Sequence, residues 1–173
     1  MNLLYLTVLF PLLGWLILSL SRGRLSENVS ALVGVGSMFL AAGTTAYVGY
    51  HFLREVEPGG VYTQILWTWF NVDGFAPQIS FHLDGLSLTM LGVITGVGAL
   101  IHLFASWYMR GEEGYSRFFS YMNLFVASMV VLVLADNLLL LYLGWEGVGL
   151  CSYLLIGFYY GDRANGAAAQ KAF

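Results

Sequence analysis

The sequence has 173 residues, 58% of them hydrophobic and only 10% charged, with a net charge of −3 and a mean hydropathy of +0.73. A water-soluble domain carries about 25% charged residues, so this chain has too few to coat a globule in water, which excludes an ordinary soluble enzyme and a disordered tail. The seven basic residues are scattered, which excludes a nucleic-acid partner, and the single cysteine, Cys151, excludes a disulfide framework or a cysteine-based metal cluster.

What remains is an integral membrane chain. A hydrocarbon core of about 30 Å needs roughly 20 apolar residues per helix, and five stretches answer to that, predicting an all-α protein with five transmembrane helices. The first is 3–20, with Pro11 and Gly14 inside it. Its uncharged start, long apolar run and trailing arginines are those of a retained helix, not of a cleaved signal peptide. The second covers 29–52 and is rich in Gly, Ala and Ser. The loop 53–84 that follows holds two segments, 62–70 and 78–83, rich in aromatic and β-branched residues. Asp73-Gly74 between them is a turn signal, so a short β-hairpin on the outer face is expected. Trp67 and Trp69 suit the aromatic belt at a membrane surface, and an exposed hairpin edge invites a partner chain.

The third stretch, 85–108, contains Gly92-x-x-x-Gly96, a helix-packing pattern. The fourth and fifth, 118–135 and 138–160, are parted only by Asp136 and Asn137, which predicts a tight antiparallel pair with those two residues as turn and cap. With five alternating spans, Arg22, Arg24, Arg110, Arg117, Arg163 and Lys171 fall on one side and Arg54 alone on the other. Lys and Arg favour the cytoplasmic side, so the N-terminus is expected outside.

Glu146 is the residue that asks for an explanation. It lies in the glycine-rich run 143–152, eight residues into the fifth stretch, or about 12 Å deep at 1.5 Å per residue. An acidic side chain at the membrane centre costs about 2.5–3.5 kcal/mol on insertion scales, and such residues mark functional sites by default. Desolvation drives a carboxyl neutral and a nearby cation ionises it again, so a carboxyl governed by both can load and release a proton when its partner moves. The alternative is a static hydrogen bond between helices. No basic residue of the five stretches lies at that depth. Gly144, Gly147 and Gly149 beside it admit close approach, either of a neighbouring helix or of a file of water.

Asp84 precedes Gly85-Leu86-Ser87 and reads first as a helix N-cap, second as a proton-exit group. His102 could relay protons, yet a lone histidine there is more simply a packed one. His51 and His82, without nearby cysteines or a cluster of acids, make a poor metal site, and Glu112 and Glu113 read as a solvated inner loop. No glycine-rich loop links a strand to a helix, so no dinucleotide fold is present; no residue set suits haem or an iron–sulfur cluster.

The segments Leu83-Asp84-Gly85-Leu86-Ser87-Leu88, Ser106-Trp107-Tyr108-Met109 and the long run from Gly144 through Trp145, Glu146 and Gly147 to Phe158 resemble the antiporter-like, subunit-5-type membrane subunits of bacterial NADH:quinone oxidoreductase, respiratory complex I. Cation/proton antiporter subunits share a weaker form of the run. The resemblance implies a proton-translocating subunit at the distal end of a membrane arm in the bacterial inner (cytoplasmic) membrane. It further implies two inverted five-helix repeats, each with a broken helix, and a glutamate on the fifth helix paired with a lysine two helices later. Glu146 occupies the glutamate position; the lysine position falls after Phe173. The chain is thus expected to be an N-terminal fragment, with residues 1–117 a peripheral three-helix region and 118–173 the start of the first repeat. Partners are expected to be other membrane-arm subunits, above all the adjacent antiporter-like one, and the lipid bilayer. FMN, iron–sulfur clusters and quinone are expected in partner subunits, with no cofactor or metal in this chain. A subunit of a multisubunit antiporter, or a structural membrane protein whose glutamate only docks helices, are the alternatives.

Overall fold

A computed structural model describes residues 1–74 and 76–172. In chain order it contains α1 (Leu6–Leu20), α2 (Glu27–Glu55), β1 (Tyr62–Thr68), β2 (Gln78–Leu83), α3 (Gly85–Tyr108), α4 (Tyr115–Leu134), α5 (Leu138–Ile156) and α6 (Arg163–Ala172). Four helices, α2 to α5, are long and apolar enough to cross a membrane. The expected first span is shorter than its apolar run: α1 has 15 residues, about 22 Å at the helical rise. The reason lies at its start. Asn2 accepts from the Tyr62 hydroxyl at 3.1 Å and from Gln64 Nε2 at 2.6 Å, while the Tyr5 amide donates to Gln64 Oε1 at 3.0 Å. The chain before Leu6 is spent on holding β1 rather than on lengthening the helix.

Helices α1 to α4 form a packed group in which α1 lies against both α2 and α4, and α3 against α2 and α4. Helix α5 packs on α4, and α6 on α5. Of the most apolar 18-residue window, 39% is buried in α4 and 17% in α5, which makes α4 the hub and α5 the edge. Close approach at the hub depends on small residues: a Cβ at Gly34 of α2 would meet the Phe119 ring of α4 at 2.6 Å.

Strands β1 and β2 pair antiparallel from Tyr62↔Leu83 to Thr68↔Gln78, with an extra residue between Ile65 and Trp67. Asp73 and Gly74 both take positive φ, 50° and 87°, as the turn signal requires. Phe81 and Leu83 are buried in the core shared with Leu134 and Leu140, while Ile65 and Trp67 face outward at 59% and 58% exposure. Three contacts tie β2 to the α4–α5 turn: Ser80 Oγ donates to Asp136 at 2.9 Å, Asn137 Nδ2 donates to the Gln78 carbonyl at 2.7 Å, and Phe81 bridges Ala135. His82 Nδ1 stands 3.6 Å from the Asp136 carboxyl.

The Gly92-x-x-x-Gly96 pattern is not a packing face within the described residues: a Cβ at either position meets nothing within 4 Å. The face of α3 that packs on α2 is centred instead on Thr95, which donates to Thr45 at 3.0 Å, and on Gly98, which Met38 approaches. Helix α5 stops at Ile156, not 160, because Gly157 ends it and Phe158 turns in against the Phe118 ring at 5.5 Å.

Candidate functional site

Helix α5 starts cleanly: the Asn137 side chain accepts from the Leu140 amide at 3.0 Å and satisfies one of the free amides of its first turn. Glu146 is its ninth residue, near the middle of its 19. Two of the glycines around it serve α4. A Cβ at Gly144 would sit 2.6 Å from the Leu132 backbone nitrogen, and one at Gly147 would sit 2.5 Å from Ser128 Oγ, whereas Gly149 meets nothing within 4 Å. The glycines therefore bring α4 close on one side and leave Glu146 on the other. Glu146 is exposed on the face that α1 to α4 leave uncovered. The Tyr142 hydroxyl, one turn earlier, interacts with its carboxyl, and Trp145 beside it is 64% exposed. Among the described residues Glu146 makes no ion pair.

Asp84 is the N-cap of α3. Its carboxyl accepts from the Ser87 amide at 2.7 Å, and the Ser87 hydroxyl in turn accepts from the Asp84 amide at 2.7 Å. The Ser87 amide and hydroxyl hold the Asp84 carboxyl below the usual carboxylate range. His102 is fully buried on α3, with Nδ1 2.8 Å from the Gly98 carbonyl and its ring against Phe119 of α4. Its Nε2 is buried and has no partner among the described residues. Eighteen residues separate Asp84 from His102 on one helix, about 27 Å. With Glu146 on α5, the three candidates occupy separate places and form no single cluster.

Three polar pairs that the sequence reading passed over cross the helix contacts inside the packed group. Ser37 donates to Asn123 at 2.6 Å, the Ser19 and Ser120 hydroxyls lie 2.7 Å apart, and Thr95 donates to Thr45. Ser116, Ser120 and Asn123 recur at helical spacing on α4, a stripe that marks an inward polar face. Among the described residues no three His, Cys, Asp or Glu side chains gather into a metal-binding group.

Two family models match the chain. Residues 69–119 match the N-terminal region of chain 5 of NADH-ubiquinone oxidoreductase (complex I), and residues 135–173 match the transmembrane domain of NADH:quinone oxidoreductase and Mrp antiporters. The chain belongs to this family of antiporter-like membrane subunits of complex I. Within it the similarity is to subunit L. The chain is 68% identical over all 173 residues to NADH-quinone oxidoreductase subunit L of Escherichia coli (strain K12), and 66% identical over the same length to that of Pseudomonas aeruginosa. It is 42% identical over 170 residues, 98% of the chain, to subunit L of Mycobacterium tuberculosis (strain H37Rv). The chain spans 28% of the length of the first two relatives and 26% of the third.

Proposed function

We propose that this chain is part of a proton-translocating membrane subunit of NADH:quinone oxidoreductase, in which Glu146 takes up and passes on a proton near mid-membrane while quinone is reduced elsewhere in the assembly. The observation that carries the reading is the position of Glu146, midway along an apolar helix of membrane length and on its uncovered face. A carboxyl there is stable when neutral, or when ionised beside a cation. A cation on a neighbouring helix that moves toward and away from the uncovered face of α5 would alternate those two states. Each change of state moves one proton on or off the carboxyl. Tyr142 is placed to hold the carboxyl in one orientation through the cycle.

In this reading α1 to α5 all cross the inner (cytoplasmic) membrane, with the N-terminus and the β-hairpin on the outer, periplasmic side. Residues 1–117 are the peripheral region and 118–173 open the first antiporter-like repeat. The uncovered face of α5 is where the cation-bearing helix, and beyond it the adjacent antiporter-like subunit, would lie. FMN, iron–sulfur clusters and quinone belong to partner subunits and supply the redox chemistry there. Asp84 and His102 are secondary candidates, the first for release at the outer surface, the second for relay within α3.

In the assembled enzyme, Glu146→Gln keeps the hydrogen-bonding shape and removes the titratable proton. It should leave assembly intact and lower proton pumping, with the NADH oxidation coupled to it, by about tenfold or more. Wild-type pumping by a fully assembled Glu146→Gln enzyme would refute the role. The match to a family model that also covers Mrp antiporters favours one second reading, a subunit of a multisubunit cation/proton antiporter. Copurification decides between them: flavin- and iron–sulfur-bearing partners belong to the first reading only.

A further inference from the structure

Where α1 ends, α2 begins and α3 turns into α4, an open cavity of about 550 Å³ sits at one end of the helix group. Its lining is rich in serine and in charged side chains. Ser30 and Ser116, 0% and 8% exposed, both line it, and each carries a buried hydroxyl with no partner among the described residues. A buried hydroxyl left unpaired is destabilising, whereas the neighbouring Ser19 and Ser120 hydroxyls satisfy each other. The amino end of α4 opens on the same space. Gly114 there offers no side-chain cap, and the Ser116 and Arg117 amides have no acceptor among the described residues. Free amides at the start of a long helix attract anions.

Charge completes the description. Arg22 and Arg117 line the cavity together with Glu27 and Glu112, and among the described residues none of the four forms an ion pair. The Arg117 guanidinium carbon stands over both the Phe158 and Tyr160 rings, about 5 Å from each centroid. Glu27 accepts from the Gly111 amide at 3.2 Å, and Glu112 interacts with Tyr159. Two cations and two anions, unpaired around one space, match a group that itself carries both signs.

We propose that this cavity binds the headgroup of a zwitterionic, amine-bearing phospholipid. The phosphodiester lies at the amino end of α4 and accepts from the Ser116 and Ser30 hydroxyls and the two arginines. The ammonium faces Glu27 and Glu112. A lipid fits better than free phosphate because the cavity lies at the ends of membrane-length helices, at the depth where headgroups reside, and because free phosphate leaves both glutamates unanswered.

Native mass spectrometry of the intact protein tests this, after purification at its native length and exchange through nanodiscs of equal dioleoyl-phosphatidylethanolamine and dioleoyl-phosphatidylglycerol. One phosphatidylethanolamine should be retained per protein in preference to phosphatidylglycerol. Arg22→Gln with Arg117→Gln should lower retention about tenfold or more. Because Arg117 also packs, the Ser30→Ala and Ser116→Ala pair is the milder probe and should lower retention several-fold. If that pair leaves retention unchanged and raises the lipid-free melting temperature, the cavity is a water-filled crevice and the proposal fails. It fails equally if millimolar inorganic phosphate stabilises the delipidated protein as much as phosphatidylethanolamine does, or if the two lipids are retained alike.

Discussion

The glycines around Glu146 divide by a few ångströms. At Gly144 an added methyl would strike the Leu132 backbone, which cannot rotate away, while at Gly149 it enters open space. Gly144→Ala should therefore force α4 and α5 apart and cost about 1–3 kcal/mol. Gly149→Ala should be neutral or gain up to about 1 kcal/mol from helix propensity. Thermal unfolding of the two variants checks the split, and equal losses would show that the glycines act alike. Glu146 itself was legible from one charge in an apolar run, and so was its place midway along α5. The uncovered face was not, because it depends on which glycines α4 uses. The buried Ser37–Asn123 bond was equally hidden, since its partners lie 86 residues apart and meet only once Gly34 lets α2 and α4 close. A double-mutant cycle on Ser37→Ala and Asn123→Ala should give a coupling near 0.6 kcal/mol, as for other hydrogen bonds between membrane helices. A coupling of zero would reduce the pair to packing alone.

Helix ends were read from local chemistry, and they hold where that chemistry stays local. The Asp84 cap sets the start of α3 at Gly85 and the Asn137 cap that of α5 at Leu138, both as the sequence predicts. The start of α1 was missed because Asn2 and Tyr5 are engaged by Tyr62 and Gln64, about 60 residues on. The Asp84 cap carries a pH signature. Its carboxyl is held below the ordinary range chiefly by the Ser87 amide, so the folded state favours the ionised form. That contribution is present above the ordinary carboxylate range and is lost as pH falls through the lowered folded value. Loss of an N-cap costs about 1 kcal/mol, and exposure keeps the ionisable part of it smaller. Asp84→Asn should keep the capping acceptor and flatten the acid limb of the stability profile, while Asp84→Ala should lower stability at every pH. Hydrogen exchange at the first turn of α3, followed against pH, reads both outcomes; an unchanged acid limb in Asp84→Asn would move the titration elsewhere.

For the whole molecule the decisive asymmetry is where the charges gather. Arg22, Arg24, Arg110, Arg117, Arg163 and Lys171 lie at the ends where α1 leaves, α2 and α4 begin and α6 follows α5, while Arg54 stands near the β-hairpin end. A bias of six to one in short connections sets orientation, and in the proposed reading it puts the hairpin outside and the α3–α4 turn in the cytoplasm. Both ends offer exposed positions for labelling, Thr63 on β1 and Glu113 between α3 and α4. Cys151, the one cysteine of these 173 residues, is buried, and its replacement by serine, together with that of any cysteine elsewhere in the assembled subunit, gives a clean background. In intact spheroplasts a membrane-impermeant maleimide should modify Thr63→Cys and spare Glu113→Cys until the membrane is permeabilised. Thr63→Cys protected and Glu113→Cys labelled would invert the topology. Under the proposed function, the direction in which a proton leaving Glu146 would travel inverts with it, because the hairpin end of α5 would then face the cytoplasm.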